Sequence, residues 1–129
     1  MNFRKIHHIA IICSDYNRSK NFYVNKLGFE VIQEVYREER NSYKLDLALN
    51  GEYVIELFSF STAPARPSYP EARGLRHLAL EVEDIEETVR LLKKEGIETE
   101  EIRIDPYTHK RFTFFEDPDG LPLELYESK

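Results

Sequence analysis

The chain reads "IHHIAIICSD" at residues 6–15 and "LRHLALEVED" at residues 75–84, and the second stretch repeats the first. His8 falls on His77, Ile9 on Leu78, Ala10 on Ala79, Ile11 on Leu80 and Asp15 on Asp84, all at an offset of 69. Further on the offset becomes 68, with Gly28 on Gly96 and Glu56 of "YVIELF" on Glu124 of "LPLELY". A one-residue deletion in the first connecting helix accounts for the change. Polar residues recur inside apolar strands, so more than hydrophobic periodicity is shared. A repeat this long means one structural unit used twice.

The elements follow from that unit. Residues 6–13 read as a strand, Asp15 caps the helix "YNRSKNFYVNKL", and Gly28 stops it. Strands "FEVIQEVYREE", "SYKLDLALN" and "EYVIELFSF" come next, the last two joined at Asn50-Gly51, a strong hairpin signal. In the second half "RHLALEV" is a strand, Asp84 and Glu87 form a capping box for "IEETVRLLKKE", and Gly96 ends that helix. "IETEEIRI", "KRFTFFED" and "LPLELYE" complete it, with a "DPDG" turn before the last. The fold class is therefore α+β, two βαβββ modules at residues 1–60 and 75–129. The Pro-rich segment 61–74, with Pro64, Pro67 and Pro70, is the linker. A half this small buries too little surface alone, so the two are expected to pack as one domain spanning 1–129.

Composition bounds the function. The 129 residues are 41% hydrophobic, with eight Phe and eight Tyr, enough for a packed interior. Eighteen Lys and Arg against 24 Asp and Glu give a net charge of −6, which argues against nucleic-acid and anionic-membrane partners. No apolar run reaches the roughly 18 residues of a membrane span. "MNFRKIHH" lacks an apolar signal core, which predicts a cytoplasmic protein starting here. The single Cys13 reads as a buried structural thiol.

Alternation sorts the polar residues within the strands. His7 shares a face with Ile9, Ile11 and Cys13, expected to pack on the helices, whereas His8 shares the other with Ala10 and Ile12. His77 and Ala79 likewise lie opposite Leu78, Leu80 and Val82. Glu56 sits between Ile55 and Leu57, and Glu124 between Leu123 and Leu125. A mid-strand carboxylate among aliphatic neighbours is costly unless it is paired or bound to a metal. Two-fold stacking of the halves would gather His8, Glu56, His77 and Glu124 on one concave face, a set suited to one divalent metal ion with positions left for water or substrate.

These residues carry a resemblance. The paired "HHIAI" and "RHLAL" strands, the Glu of "YVIELF" and the closing "DPDGLPLELYE" resemble the vicinal oxygen chelate superfamily over essentially the whole chain. The likeness is greatest to short bacterial glyoxalase-like, or lactoylglutathione lyase-like, proteins. It implies the glyoxalase/bleomycin resistance/dioxygenase fold, paired modules forming an open, metal-binding barrel, and a homodimer. It also implies His8, Glu56, His77 and Glu124 as metal ligands. Extradiol dioxygenases of the superfamily use two histidines and one glutamate on iron, and its antibiotic-sequestering members lack the ligands; four filled positions point instead to glyoxalase I.

The function so implied is a metal-dependent lyase or isomerase that acts on a hemithioacetal of methylglyoxal, or a related small carbonyl compound, through an enediolate. Zinc or nickel is the expected metal, with cobalt and manganese as alternatives. By the same resemblance Glu124 is the catalytic base and Glu56 the more permanent ligand. "ELFSF" after the first-module glutamate is greasier than the glutathione-recognising segment of glyoxalase I, which leaves the thiol open. Arg37, Lys44 and Arg111 are the candidate anchors for an anionic small-molecule substrate, with Lys110 beside them; His109 reads as solvated, and "FTFF" as core, with Phe114 the one that could line a pocket. The competing classes are a non-catalytic ligand binder or another reaction of the superfamily, an epimerase or thiol transferase. A purely structural module leaves the repeated polar residues unexplained.

Overall fold

In the computed structural model, which describes residues 1–129, the first strand β1 (Ile9–Cys13) leads into α1 (Tyr16–Lys20), which continues as a π-helical stretch (Asn21–Lys26). Three strands follow: β2 (Glu30–Arg37), β3 (Ser42–Leu49) and β4 (Glu52–Ser59). The order repeats as β5 (Leu78–Val82), α2 (Ile85–Lys94), β6 (Arg103–Ile104), β7 (Arg111–Glu116) and β8 (Pro122–Glu127). Each βαβββ module makes its own four-stranded mixed sheet, ordered β1-β4-β3-β2 and β5-β8-β7-β6. The helix crossover makes β1 parallel to β4 and β5 parallel to β8, while all other pairs are antiparallel. The chain divides into the units Met1–Pro64 and Ala65–Lys129. No helix is long and apolar enough to cross a membrane.

The local signals explain the turns. Asn50 and Gly51 take φ of 51° and 80°, the positive pair that a two-residue hairpin needs. In "DPDG" the Asp117 carboxylate accepts from the N–H groups of Asp119 and Leu121, closing the β7–β8 turn. Asp15 and Asp84 cap their helices by accepting from the N–H of Arg18 and Glu87. The capping box is only half formed, because the Glu87 side chain pairs with Arg90 instead.

The change of offset has a structural cause opposite in sign to the deletion expected. Thirteen positions separate Asp15 from Gly28 and twelve separate Asp84 from Gly96, so the first helix has one residue more. It absorbs that residue as the π-helical stretch, where the Leu27 N–H donates to the Phe22 carbonyl at 2.9 Å.

Two strands are shorter than expected. β1 begins at Ile9, leaving His7 and His8 before the ladder. "IETEEIRI" is strand only at Arg103–Ile104, because the stretch before it is held by scattered bonds. These run from Glu100 N–H to the Phe114 carbonyl and from the Thr113 hydroxyl to the Glu100 carbonyl.

Each core lies between a sheet and its helix. Ile11, Cys13, Leu45, Leu47, Ile55 and Leu57 are buried with Phe22, Tyr23 and Phe29. In module two Thr113, Phe115, Leu123 and Leu125 are buried with Ile85, Leu92 and Ile97. Buried Glu127 ties this core to its helix. It takes two bonds of 2.8 Å from Arg111 and one of 3.3 Å from the Ile85 N–H.

The Arg111 guanidinium holds the Glu127 carboxyl below the usual carboxylate range, against the opposing effect of burial and with help from the Ile85 N–H. The folded state therefore binds this proton more weakly than the unfolded chain, and the stabilisation present at neutral pH is lost as pH falls. Glu127→Gln is expected to lower the thermal midpoint by several degrees at pH 7. Melts followed by circular dichroism should show the gap to wild type closing as pH drops below the ordinary carboxyl value of 4.5.

Candidate functional site

Strand pairing sets Ala10 beside Glu56 in module one and Ala79 beside Glu124 in module two. Cross-strand partners share a face, so both glutamates lie on the side away from the helix-packed aliphatics. Their side chains are only 15% and 12% exposed, a costly state for an unpartnered carboxylate. A histidine just before the first strand of each module meets them. His8 Nε2 lies 3.7 Å from a Glu56 carboxylate oxygen, and His77 Nε2 lies 2.8 Å from one of Glu124.

His7 does not pack against the helices. It precedes β1, so strand alternation does not govern it, and its exposed ring stands edge-on to His8 with the two Nδ1 atoms 2.8 Å apart. His7 is thus the outer neighbour of His8. The His8 ring also stacks on Tyr53 at 5.0 Å, whereas His77 meets the edge of Phe114, the cross-strand partner of Glu124.

The glutamates differ in their surroundings. Glu56 pairs across β3 with Asp46, a buried carboxylate not anticipated from the sequence. Lys44 Nζ bonds both Asp46 oxygens, at 2.8 and 2.7 Å, and lies 3.4 Å from Glu56. The Tyr53 hydroxyl donates to Asp46 at 2.8 Å and lies 3.3 Å from Glu56. Asp46 foremost, with Glu56 beside it, holds the Lys44 ammonium above its usual range against the effect of burial. Burial pushes the Tyr53 phenol up, and the two carboxylates add to this, so Tyr53 remains a donor. Glu124 meets only His77 within hydrogen-bond or ion-pair distance.

The expected substrate anchors separate. Arg37 lies half-buried on the Glu56 side, its guanidinium 4.6 Å above the Phe58 ring. Lys44 is committed to Asp46 and Glu56. Arg111 is on the opposite, helix-packed face of β7, bonded to Glu127 and 3.3 Å from Glu86, so it is removed from the anchor set. Lys110 donates to the Ser128 carbonyl, and His109 is exposed at a turn with φ of 62°.

The structure brings together His8 with Glu56 and His77 with Glu124, and it contains no cluster of three or more His, Cys, Asp or Glu side chains with metal-ligand spacing. Each pair fits half of a metal's shell. Donors about 2.0–2.2 Å from one ion lie roughly 3 Å from one another, and the two separations fall on either side of that value. In both pairs the imidazole presents Nε2 to the carboxylate, so one nitrogen and one oxygen converge.

Comparison with known proteins gives the chain its family. Residues 5–125 match the family described as the Glyoxalase/Bleomycin resistance protein/Dioxygenase superfamily. The chain is 68% identical over 127 residues to YwkD of Bacillus subtilis, covering 98% of this chain and 99% of that one. It is 31% identical over 130 residues to the lactoylglutathione lyase of Salmonella typhimurium, covering 95% and 91%. The crystal structure of a glyoxalase family protein from Enterococcus faecalis superposes with a TM-score of 0.92 at 58% identity, covering 98% of this chain and 100% of that one. With this match over nearly its whole length and the paired βαβββ modules, the chain belongs to the Glyoxalase/Bleomycin resistance protein/Dioxygenase superfamily.

Proposed function

We propose that the protein is a metal-dependent lyase of the glyoxalase type, acting on a hemithioacetal or a related small carbonyl compound. In this reading each His–Glu pair supplies two donors to a divalent ion. The observation that carries the reading is the unequal bonding of two equivalent glutamates. Glu56 is held by Lys44 and Tyr53 as well as facing His8, which suits a fixed ligand. Glu124 faces His77 alone, which suits a carboxylate that must move and exchange a proton. The similarity to a lactoylglutathione lyase supports the same reaction class.

The chemistry is an internal proton transfer. Glu124 takes the proton from the carbon bearing the thioether and hydroxyl groups; that C–H electron pair forms a double bond to the neighbouring carbonyl carbon as the carbonyl π pair moves onto its oxygen. The carboxylic acid then returns the proton to that neighbouring carbon. Loss of the hydroxyl proton on one oxygen and gain of one on the other completes an isomerisation to a 2-hydroxy thioester, with no atom gained or lost. A divalent ion, when bound, supplies Lewis acidity that offsets the negative charge developing on the substrate oxygen. Lys44 and Tyr53 hold Glu56 in place.

Three measurements test this. Purified protein should contain stoichiometric divalent metal by elemental analysis. His77→Ala and His8→Ala should lose it, while His7→Ala should weaken binding by about 10- to 100-fold at most, the effect of an outer hydrogen-bonding neighbour.

Glu124→Gln keeps an oxygen donor but has no useful basicity. It should retain part of the metal while turnover falls about 10²–10⁴-fold, the contribution of a positioned acid–base group. Wild type loaded in turn with zinc, nickel, cobalt and manganese should convert methylglyoxal hemithioacetals at metal-dependent rates. Failure with glutathione and with other common thiols would overturn the lyase reading and leave a ligand-binding role.

A further inference from the structure

Arg37 is one of two half-buried arginines without a carboxylate partner, and the one on the Glu56 face. It ends β2 opposite Ser42, on the face where Ser42, Lys44 and Asp46 alternate along β3 toward Glu56. Its guanidinium lies over Phe58, 4.6 Å from the ring centroid, and 5.8 Å from that of Phe60. Phe58 is two residues from Glu56 on one face of β4, about 7 Å along the strand.

A guanidinium carries five N–H donors. Here Nη2 bonds the Ser42 hydroxyl at 3.0 Å, and Nε is buried without an acceptor. No carboxylate lies within ion-pair distance, and Glu38 and Glu39, next in sequence, do not turn back to it. Of the other half-buried arginines, Arg111 has Glu127 and Glu86, whereas Arg66 shares the partnerless Nε and the lack of a carboxylate but donates from Nη2 to the carbonyls of Leu75 and Arg76. Holding a permanent cation partly out of water without a counter-ion costs stability, and the Phe58 face offsets only part of that.

Resting on the lyase reading above, we propose that Arg37 binds an oxyanion of the substrate, a carboxylate or a phosphate, so that the substrate class is a small carbonyl compound or adduct that carries an acid. The planar fork suits both groups, since each accepts two parallel N–H bonds. Lys44 cannot serve in its place because Asp46 and Glu56 occupy its ammonium. The spacing fits a compact ligand, whose anion meets the guanidinium edge while the rest of it extends along β4 toward the Glu56 side chain.

Binding tests this without turnover, so the lyase reading and this inference can fail separately. Full-length protein, metal-loaded and in parallel chelator-treated, is titrated with propionate, inorganic phosphate and neutral propionamide by calorimetry. At least one anion should bind in both preparations, and propionamide in neither. Arg37→Gln should weaken that anion about 10- to 100-fold, the worth of hydrogen bonds to a charged group. Its thermal midpoint should stay level or rise, because an unpaired cation has been removed. Arg37→Lys, which keeps the charge without the fork, should fall between the two. Equal anion binding by Arg37→Gln and wild type, binding that disappears with the metal, or no anion binding by wild type would each overturn the proposal. So would a lowered midpoint with anion binding intact, which would make Arg37 a structural residue.

Discussion

A carboxylate in the middle of a strand whose neighbours are core residues cannot choose its place. Ile55 and Leu57 are 1% and 0% exposed, and Leu123 and Leu125 are 0% and 2% exposed, so the backbone of β4 and of β8 is locked in register. A slip of one residue would drive Glu56 or Glu124 into the helix-packed core and expose two aliphatic side chains. The burial of the neighbours therefore aims each carboxylate. Alanine on the parallel partner strand keeps space beside it, and the histidine arrives where the chain has not yet entered the ladder.

Duplication supplies the same frame twice, and the differences between copies set the chemistry. At the offset of 68, Lys44 and Asp46 become Phe112 and Phe114. One glutamate is surrounded by an ammonium, a phenol and a second carboxylate, while the other is flanked by aromatic rings. Two groups of one chemical type at equivalent positions can then hold different roles, because environment rather than identity sets how tightly each is bound. The extra residue in the first helix is a further difference between the copies, absorbed without disturbing the strands on either side.

Much of this was legible in the sequence because it rests on local rules. The βαβββ order, the Asn50-Gly51 and Asp117–Gly120 turns, the caps and the placement of both glutamates follow from periodicity and turn chemistry. His7 was misread because alternation was extended past the start of β1, where neighbouring side chains no longer point to opposite faces. Asp46 was missed although "LDL" carries the same signal as "IEL" and "LEL". Comparison between copies hid it, since Phe114 stands at the matching position. Arg111 was misassigned because its strand lines the Glu124 face, yet its own parity puts it on the other side with Glu127. That ion pair depends on β7 and β8 being neighbours, which a local reading does not reveal.

Charge gives the glutamates a further meaning. Lys44 cancels one of the two carboxylates gathered in module one, and the closer bonding is to Asp46, at 2.7 and 2.8 Å against 3.4 Å for Glu56. The ammonium thus lies nearer Asp46 than Glu56, and Glu124 faces only an imidazole. Asp46 is the carboxylate that Lys44 bonds directly. It engages the ammonium, so that Lys44 can steady Glu56 without neutralising it. Replacing Asp46 with an apolar residue would leave the Lys44 ammonium, already 3.4 Å from Glu56, with that carboxylate alone.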